Sequence, residues 1–128
     1  MKPTEYLELL NETLASSPLV SSYQVTRHHA SDTDAYMRAK ITFNDASRLE
    51  VMEYVRSTSE NESSIDRYSY HWMDENNALI ARWDNAEHYP NLLNFPHHHH
   101  DGDEKNVLPG ESMTLLKVLD IIATRLNE

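Results

Sequence analysis

From Met37 to Phe43 every second side chain is apolar: Met37, Ala39, Ile41 and Phe43 point one way, while Arg38, Lys40 and Thr42 point the other. A period of two describes a strand with one packed and one wet face, which is the habit of antiparallel sheets. The alternation recurs on both sides. Tyr23 and Val25 alternate with polar neighbours in a run from Leu19 to His29, and Leu49, Val51 and Val55 alternate with Arg48, Glu50 and Arg56. Ile65 to Met73 sets Tyr68, Tyr70 and Trp72 against Arg67, Ser69 and His71, and Leu79 to Trp83 makes a fifth segment. Turn-forming residues separate these runs at Ser31 to Asp34, Asn44-Asp45, Ser57 to Ser64 and Asp74 to Asn77.

A half-wet sheet needs cover for its apolar side, and the two ends of the chain supply it. Pro3-Thr4 opens a helix in which Tyr6, Leu7, Leu10 and Leu14 recur at helical spacing, and Ser16-Ser17-Pro18 ends it. Met113, Leu115, Leu116, Val118, Leu119, Ile122 and Leu126 give the C-terminal segment a wide apolar stripe. The expectation is an α+β fold: a four- or five-stranded antiparallel sheet flanked by an N-terminal and a C-terminal helix, in a single domain spanning residues 1–128. Met37, Ile41, Phe43, Leu49, Val51, Leu115, Leu119 and Ile122 are its expected core. Exposed strand edges suggest pairing across a two-fold axis, hence a homodimer.

Composition narrows the function. The chain has no cysteine, which removes disulfides, thiolate chemistry and Cys-based zinc, and makes the cytoplasm the expected compartment. No apolar run approaches membrane length and the N-terminus lacks the apolar stretch of a signal peptide, so no membrane partner is expected. A formal charge of −10 argues against nucleic acid. Position matters more than the sum, because seven of the eleven Lys and Arg fall in the sheet segment: Arg27, Arg38, Lys40, Arg48, Arg56, Arg67 and Arg82. Sharing one face, they would form a basic platform on an acidic protein.

The densest chemistry lies between Leu79 and His100, where five of the eight histidines fall within thirteen residues. Asp84-Asn85 breaks the fifth strand, and His88, Pro90 and Pro96 lead to His97, His98, His99 and His100. The run is followed by 28 residues that themselves look folded, so it reads as native rather than as an affinity tag. No Gly-rich phosphate loop, nucleophile elbow or HExxH zinc motif is present.

The order Tyr68-Ser69-Tyr70-His71-Trp72, then Arg82-Trp83-Asp84-Asn85-Ala86, His88, Pro90 and Phe95-Pro96-His97-His98 followed by His100 resembles the TumE family of small toxins from prokaryotic toxin–antitoxin modules. The family pattern is close to YSYHW, RYDNAPHHP and FPHHKH, and the likeness covers roughly residues 36 to 122. Trp83 stands where Tyr is usual, Tyr89 where a second histidine is usual, and His99 where Lys is usual. The resemblance implies a compact antiparallel α+β domain, a cognate helix-turn-helix antitoxin and a toxic activity directed at RNA.

Three uses of the histidines follow. Metal-independent RNA cleavage needs a base, an acid and a cation for the phosphorane. His98 and His100 are the expected acid/base pair in the loop, His88 assists and Arg82 holds phosphate, making a ribonuclease; His71, Tyr70, Asp84, Asn85 and His97 are the expected substrate-binding residues. For the aromatics of the fourth strand, core packing is the commoner fate. No metal is required for this chemistry, yet His97, His98, His99 and His100 are a possible site for zinc or nickel, with Asp84, Asp101 or Asp103 as further ligands. The third use is none: a regulatory or interaction domain whose acidic surface suits a basic, DNA-binding partner.

Overall fold

The computed structural model describes residues 1–127. Helix α1 (Pro3–Ser16) is followed by seven strands, β1 (Val20–Ala30), β2 (Asp34–Phe43), β3 (Arg48–Ser59), β4 (Glu62–Met73), β5 (Leu79–Asp84), β6 (His98–Asp101) and β7 (Val107–Pro109), and then by helix α2 (Leu115–Leu126). All seven form one antiparallel sheet whose spatial order is the chain order. The α+β expectation therefore holds, and the strand number is corrected from four or five to seven. The two added strands escaped the alternation rule because one consists of three histidines and an aspartate, and the other has three residues ending in proline. They are fixed by pairing, β6 with β5 and β7 with β6, which no local pattern announces.

Residues directly opposite one another in an antiparallel pair share a face. Met37, Ala39, Ile41 and Phe43 thus line up with Leu49, Val51, Tyr68, Tyr70, Trp72, Ala81 and Trp83 on the inner face. Leu7, Leu10 and Leu14 of α1 and Leu115, Val118, Leu119 and Ile122 of α2 pack on the same face, so both helices lie on one side. The eight expected core residues are all buried. Burying a Leu or Ile side chain contributes roughly 2 kcal/mol, so these two helices anchor each other through the sheet.

One inward position is acidic. Glu53, 1% exposed, sits between Val51 and Val55 on the inner face of β3. Tyr6 donates to its Oε1 at 2.6 Å, while Tyr70 (2.5 Å) and the Leu115 amide (3.0 Å) donate to its Oε2. The carboxyl thereby ties both helices to the sheet and accepts from the first amide of α2, while the Thr114 hydroxyl oxygen caps the Lys117 amide in the same turn. Burial nevertheless pushes its pKa up, outweighing the three donors.

Candidate functional site

Among the described residues, both helices lie on the inner face and none covers the outer one. Arg82 and Asp84 both point there from β5, two residues apart, and the register sets His100 opposite Arg82 and His98 opposite Asp84. On the other flank Arg82 faces His71 and Asp84 faces Ser69. Period-two alternation splits the histidine run: His98 and His100 point outward, whereas His99 lies opposite Trp83 on the inner side. His97 is likewise drawn inward, its Nδ1 2.7 Å from the Tyr68 hydroxyl and its ring stacked on that of Tyr68. Burial holds the Tyr68 phenol up to about 12, so it keeps its proton, shared between the His97 ring and the Glu111 carbonyl (3.4 Å).

Asp84 is the hub. It is 4% exposed. Its Oδ1 accepts from the Ala86 amide (3.0 Å) and stands 2.9 Å from Nε2 of His98, while its Oδ2 accepts from Nε of Arg82 (3.0 Å) and lies 3.9 Å from Nε2 of His100. The other ring nitrogens are fixed by the backbone. His98 Nδ1 is 3.0 Å from the Pro96 carbonyl, and His100 Nδ1 is 2.8 Å from the Glu104 carbonyl. A carbonyl only accepts, so each Nδ1 carries its hydrogen and each Nε2 faces the carboxylate. Between His98 and Asp84 two acceptors would meet unless a cation or a proton stands between them.

Asn85 buttresses the end of β5 by accepting from the Tyr68 amide (3.0 Å) and donating to the Asp66 carbonyl (3.0 Å). Close approach fixes the far side. A Cβ added to Gly110 would come within 3.0 Å of the His98 backbone, so glycine lets the segment after β7 lie against the strand that holds the histidines. Over the top, the Tyr89 ring meets His98 edge-on at 4.9 Å and His100 at 6.1 Å, and His88, exposed, stands beside Tyr89. Arg82, Asp84, Ala86, His88, Tyr89, His98, His100 and Glu104 enclose a cavity of about 180 Å³.

The structure thus brings together Arg82, Asp84, His98 and His100, with His88 and Asn85 at the margin and His71 next to Arg82. His98 and His100 are strand residues of β6, a correction to their expected place in a loop. Two of the other expected residues are turned away: Tyr70 is fully buried on the inner face against Glu53, and His97 is pinned by Tyr68. Consequently His97, His98, His99 and His100 do not form one ligand set. The three ligand atoms that converge within 4.8 Å belong to Asp84, His98 and His100. Tyr89 was missed; its only sequence signal was that it replaces a histidine of the pattern.

Register also gathers charge. All seven of the basic residues in the sheet segment lie on the outer face, where Arg27 pairs Arg38, Lys40 pairs Glu50, Tyr54 pairs Arg67, and Arg56 pairs Asp34. The acids of that face are five: Asp34, Glu50, Glu62, Asp66 and Asp84. Four Lys and Arg against sixteen Asp and Glu remain for the rest of the chain. No helix among the described residues is long and apolar enough to cross a membrane.

A family model described as Toxin TumE matches residues 8–126. No curated protein and no solved structure matches the chain.

Proposed function

The chain belongs to the TumE toxin family, and on that premise we propose that it is the toxin of a toxin–antitoxin module and cleaves RNA by histidine acid/base chemistry on its outer face. A toxin role implies an antitoxin partner; we assign that partner to the helix-turn-helix class and the action to the cytoplasm. The convergence of two Nε2 atoms and a guanidinium on buried Asp84 carries the reading.

In this mechanism one imidazole removes the proton of a 2′-hydroxyl, whose oxygen attacks the adjacent phosphorus. The other protonates the departing 5′-oxygen, leaving a 2′,3′-cyclic phosphate and a 5′-hydroxyl. Arg82 spends only its Nε on Asp84, so its terminal nitrogens are left to meet the phosphorane oxygens. Asp84 orients both rings, and His88 assists from the exposed side of the cavity. Asn85 and His71 bound the substrate site. A homodimer would use β1, the longer of the two sheet edges.

The test is expression of His98→Ala without antitoxin. Loss of toxicity and of cleavage in a folded protein is expected; a variant that kills as the parent does overturns the reading. A second reading, a divalent metal held by Asp84, His98 and His100, is favoured by their three ligand atoms within 4.8 Å and by both Nδ1 atoms being anchored to carbonyls, the usual support of metal-bound imidazoles. Chelation that abolishes cleavage, with rescue by zinc or nickel, supports it; full cleavage after chelation removes it.

A further inference from the structure

The charge-segregated outer face extends well beyond the Asp84 cluster, and it is not flat. A concavity of about 410 Å³ lies among Tyr36, Arg38, Tyr54, Arg56 and Arg67. It shares Arg38 and Met52 with a second of about 240 Å³ that reaches His71 and Arg82, and Met52 and Arg67 with a third of about 620 Å³ that reaches Arg82 and Asp84. Three connected hollows therefore lead from the β2–β3 hairpin to the buried carboxylate. Each is large enough for a nucleobase.

The side chains around the hollows suit a nucleic-acid strand. The Arg56 guanidinium lies over the Tyr54 ring (5.5 Å) and that of Arg27 over Tyr36 (5.9 Å), the arrangement of planes on which splayed bases stack. Arg38 is engaged by the Tyr36 hydroxyl, a neutral group, so its charge is not cancelled. Of the acids, Asp84 is held by Arg82, Asp66 is 3.8 Å from Arg56, and Asp34 accepts from Tyr54 and Ser31. That leaves Glu50, beside Arg38 and Arg82, and Glu87, beside Arg67 and Arg82, as the other acids lining the hollows.

We propose that this outer face is a track for single-stranded RNA, running from the Tyr36–Tyr54 pair across Arg38 and Arg67 to Arg82, with the Asp84–His98–His100 cluster at its end. The proposal rests on the nuclease reading for the identity of its strand. From β2 to β6 there are four strand intervals, roughly 19 Å, room for a short single strand of a few splayed nucleotides. A duplex keeps its bases paired inside and cannot fill base-sized hollows, so single strands are the substrate class. The rest of the molecule, strongly acidic, repels phosphate and leaves one route for the strand.

The experiment measures binding of a fluorescent 12-nucleotide oligouridine by anisotropy on the full chain carrying His98→Ala, with and without Arg38→Ala/Arg67→Ala. Competitors are a self-complementary RNA duplex of equal length and an oligoglutamate peptide. The track predicts that the double substitution weakens oligouridine on the order of tenfold or more and flattens the log K against log salt slope by about 1.4, two phosphates at 0.7 each. It also predicts that duplex and peptide compete poorly. Unchanged affinity in the double variant, or duplex or peptide competing as well as the single strand, overturns it. The two readings fail separately. Binding without cleavage by the parent protein would sink the nuclease and leave the track, whereas cleavage at the parental rate by Arg38→Ala/Arg67→Ala would sink the track and leave the nuclease.

Discussion

His98 presents both of its ring nitrogens to acceptors: Nε2 stands 2.9 Å from Asp84 Oδ1 and Nδ1 stands 3.0 Å from the Pro96 carbonyl. With Nδ1 donating to the carbonyl, the Nε2–carboxylate contact takes a proton or a cation between the two atoms.

Replacing Asp84 with Asn keeps the shape and removes the negative charge. The amide can donate to one nitrogen or accept from one, but it no longer orders Arg82, His98 and His100 together. RNA cleavage should fall by roughly 10²- to 10⁴-fold, while circular dichroism shows a folded chain with a lower Tm. Cleavage within a factor of three of the parent would show that Asp84 is a structural residue only.

Gly110 tests the same site from outside it. Alanine there would press its Cβ to 3.0–3.2 Å from the backbone of His98, and backbone atoms give less readily than side-chain ends. The strain should cost about 1–3 kcal/mol and displace β6, so cleavage should fall further than stability alone explains. Urea unfolding and cleavage rates on the same preparation separate the two effects.

Glu53 predicts a pH effect on the core. Its folded pKa is raised above the ordinary 4.5 by burial, so its favourable contribution is complete below the unfolded value and is lost as pH rises through the folded one. Relative to Glu53→Gln, the parent should be most stable near pH 4.5 and lose that advantage toward neutrality. Glu53→Leu leaves Tyr6, Tyr70 and the Leu115 amide without an acceptor, and should cost about 3 kcal/mol or more at pH 7. Thermal melts of the three proteins across pH 4.5–8 check both statements; an equal slope for the parent and the Gln variant would refute the first.

His71 runs the opposite way. Burial, aided by the neighbouring Arg82 charge, holds its pKa below the usual 6.5. The folded protein thus favours the neutral ring, a contribution present above pH 6.5 and lost as the pH falls through the folded value. Parent stability should decline between pH 7.5 and 5.5, and His71→Gln should decline less. Urea midpoints at the two pH values provide the comparison.

Much of this was legible in the residues because packing on one side of a sheet imposes a strict period. The inner positions of β2, β3 and β4 could be read one by one, and with them the fate of Tyr70, whose alternation with Ser69 and His71 already placed it with Tyr68 and Trp72. The seven basic residues of the sheet were identifiable as a group, but only register puts Arg27 beside Arg38 and Arg82 beside His100. Asp84 as hub was half visible, two residues from Arg82 on one strand and so on the same face. The pairing of β6 with β5 depends on contacts from distant parts of the chain, and a string of histidines has no apolar alternation to announce it. Glu53 carried a signal that the alternation reading passed over: a carboxylate at an inward position, between two valines.

Because the strands lie side by side in the order in which they are made, the strand that carries His98 and His100 is added late. A nascent chain that has emerged through β5 holds Arg82 and Asp84 but neither His98 nor His100. Synthesis of this toxin therefore passes through unfinished forms that lack both rings on which the proposed chemistry depends, and the cluster around Asp84 is completed only with the sixth of the seven described strands.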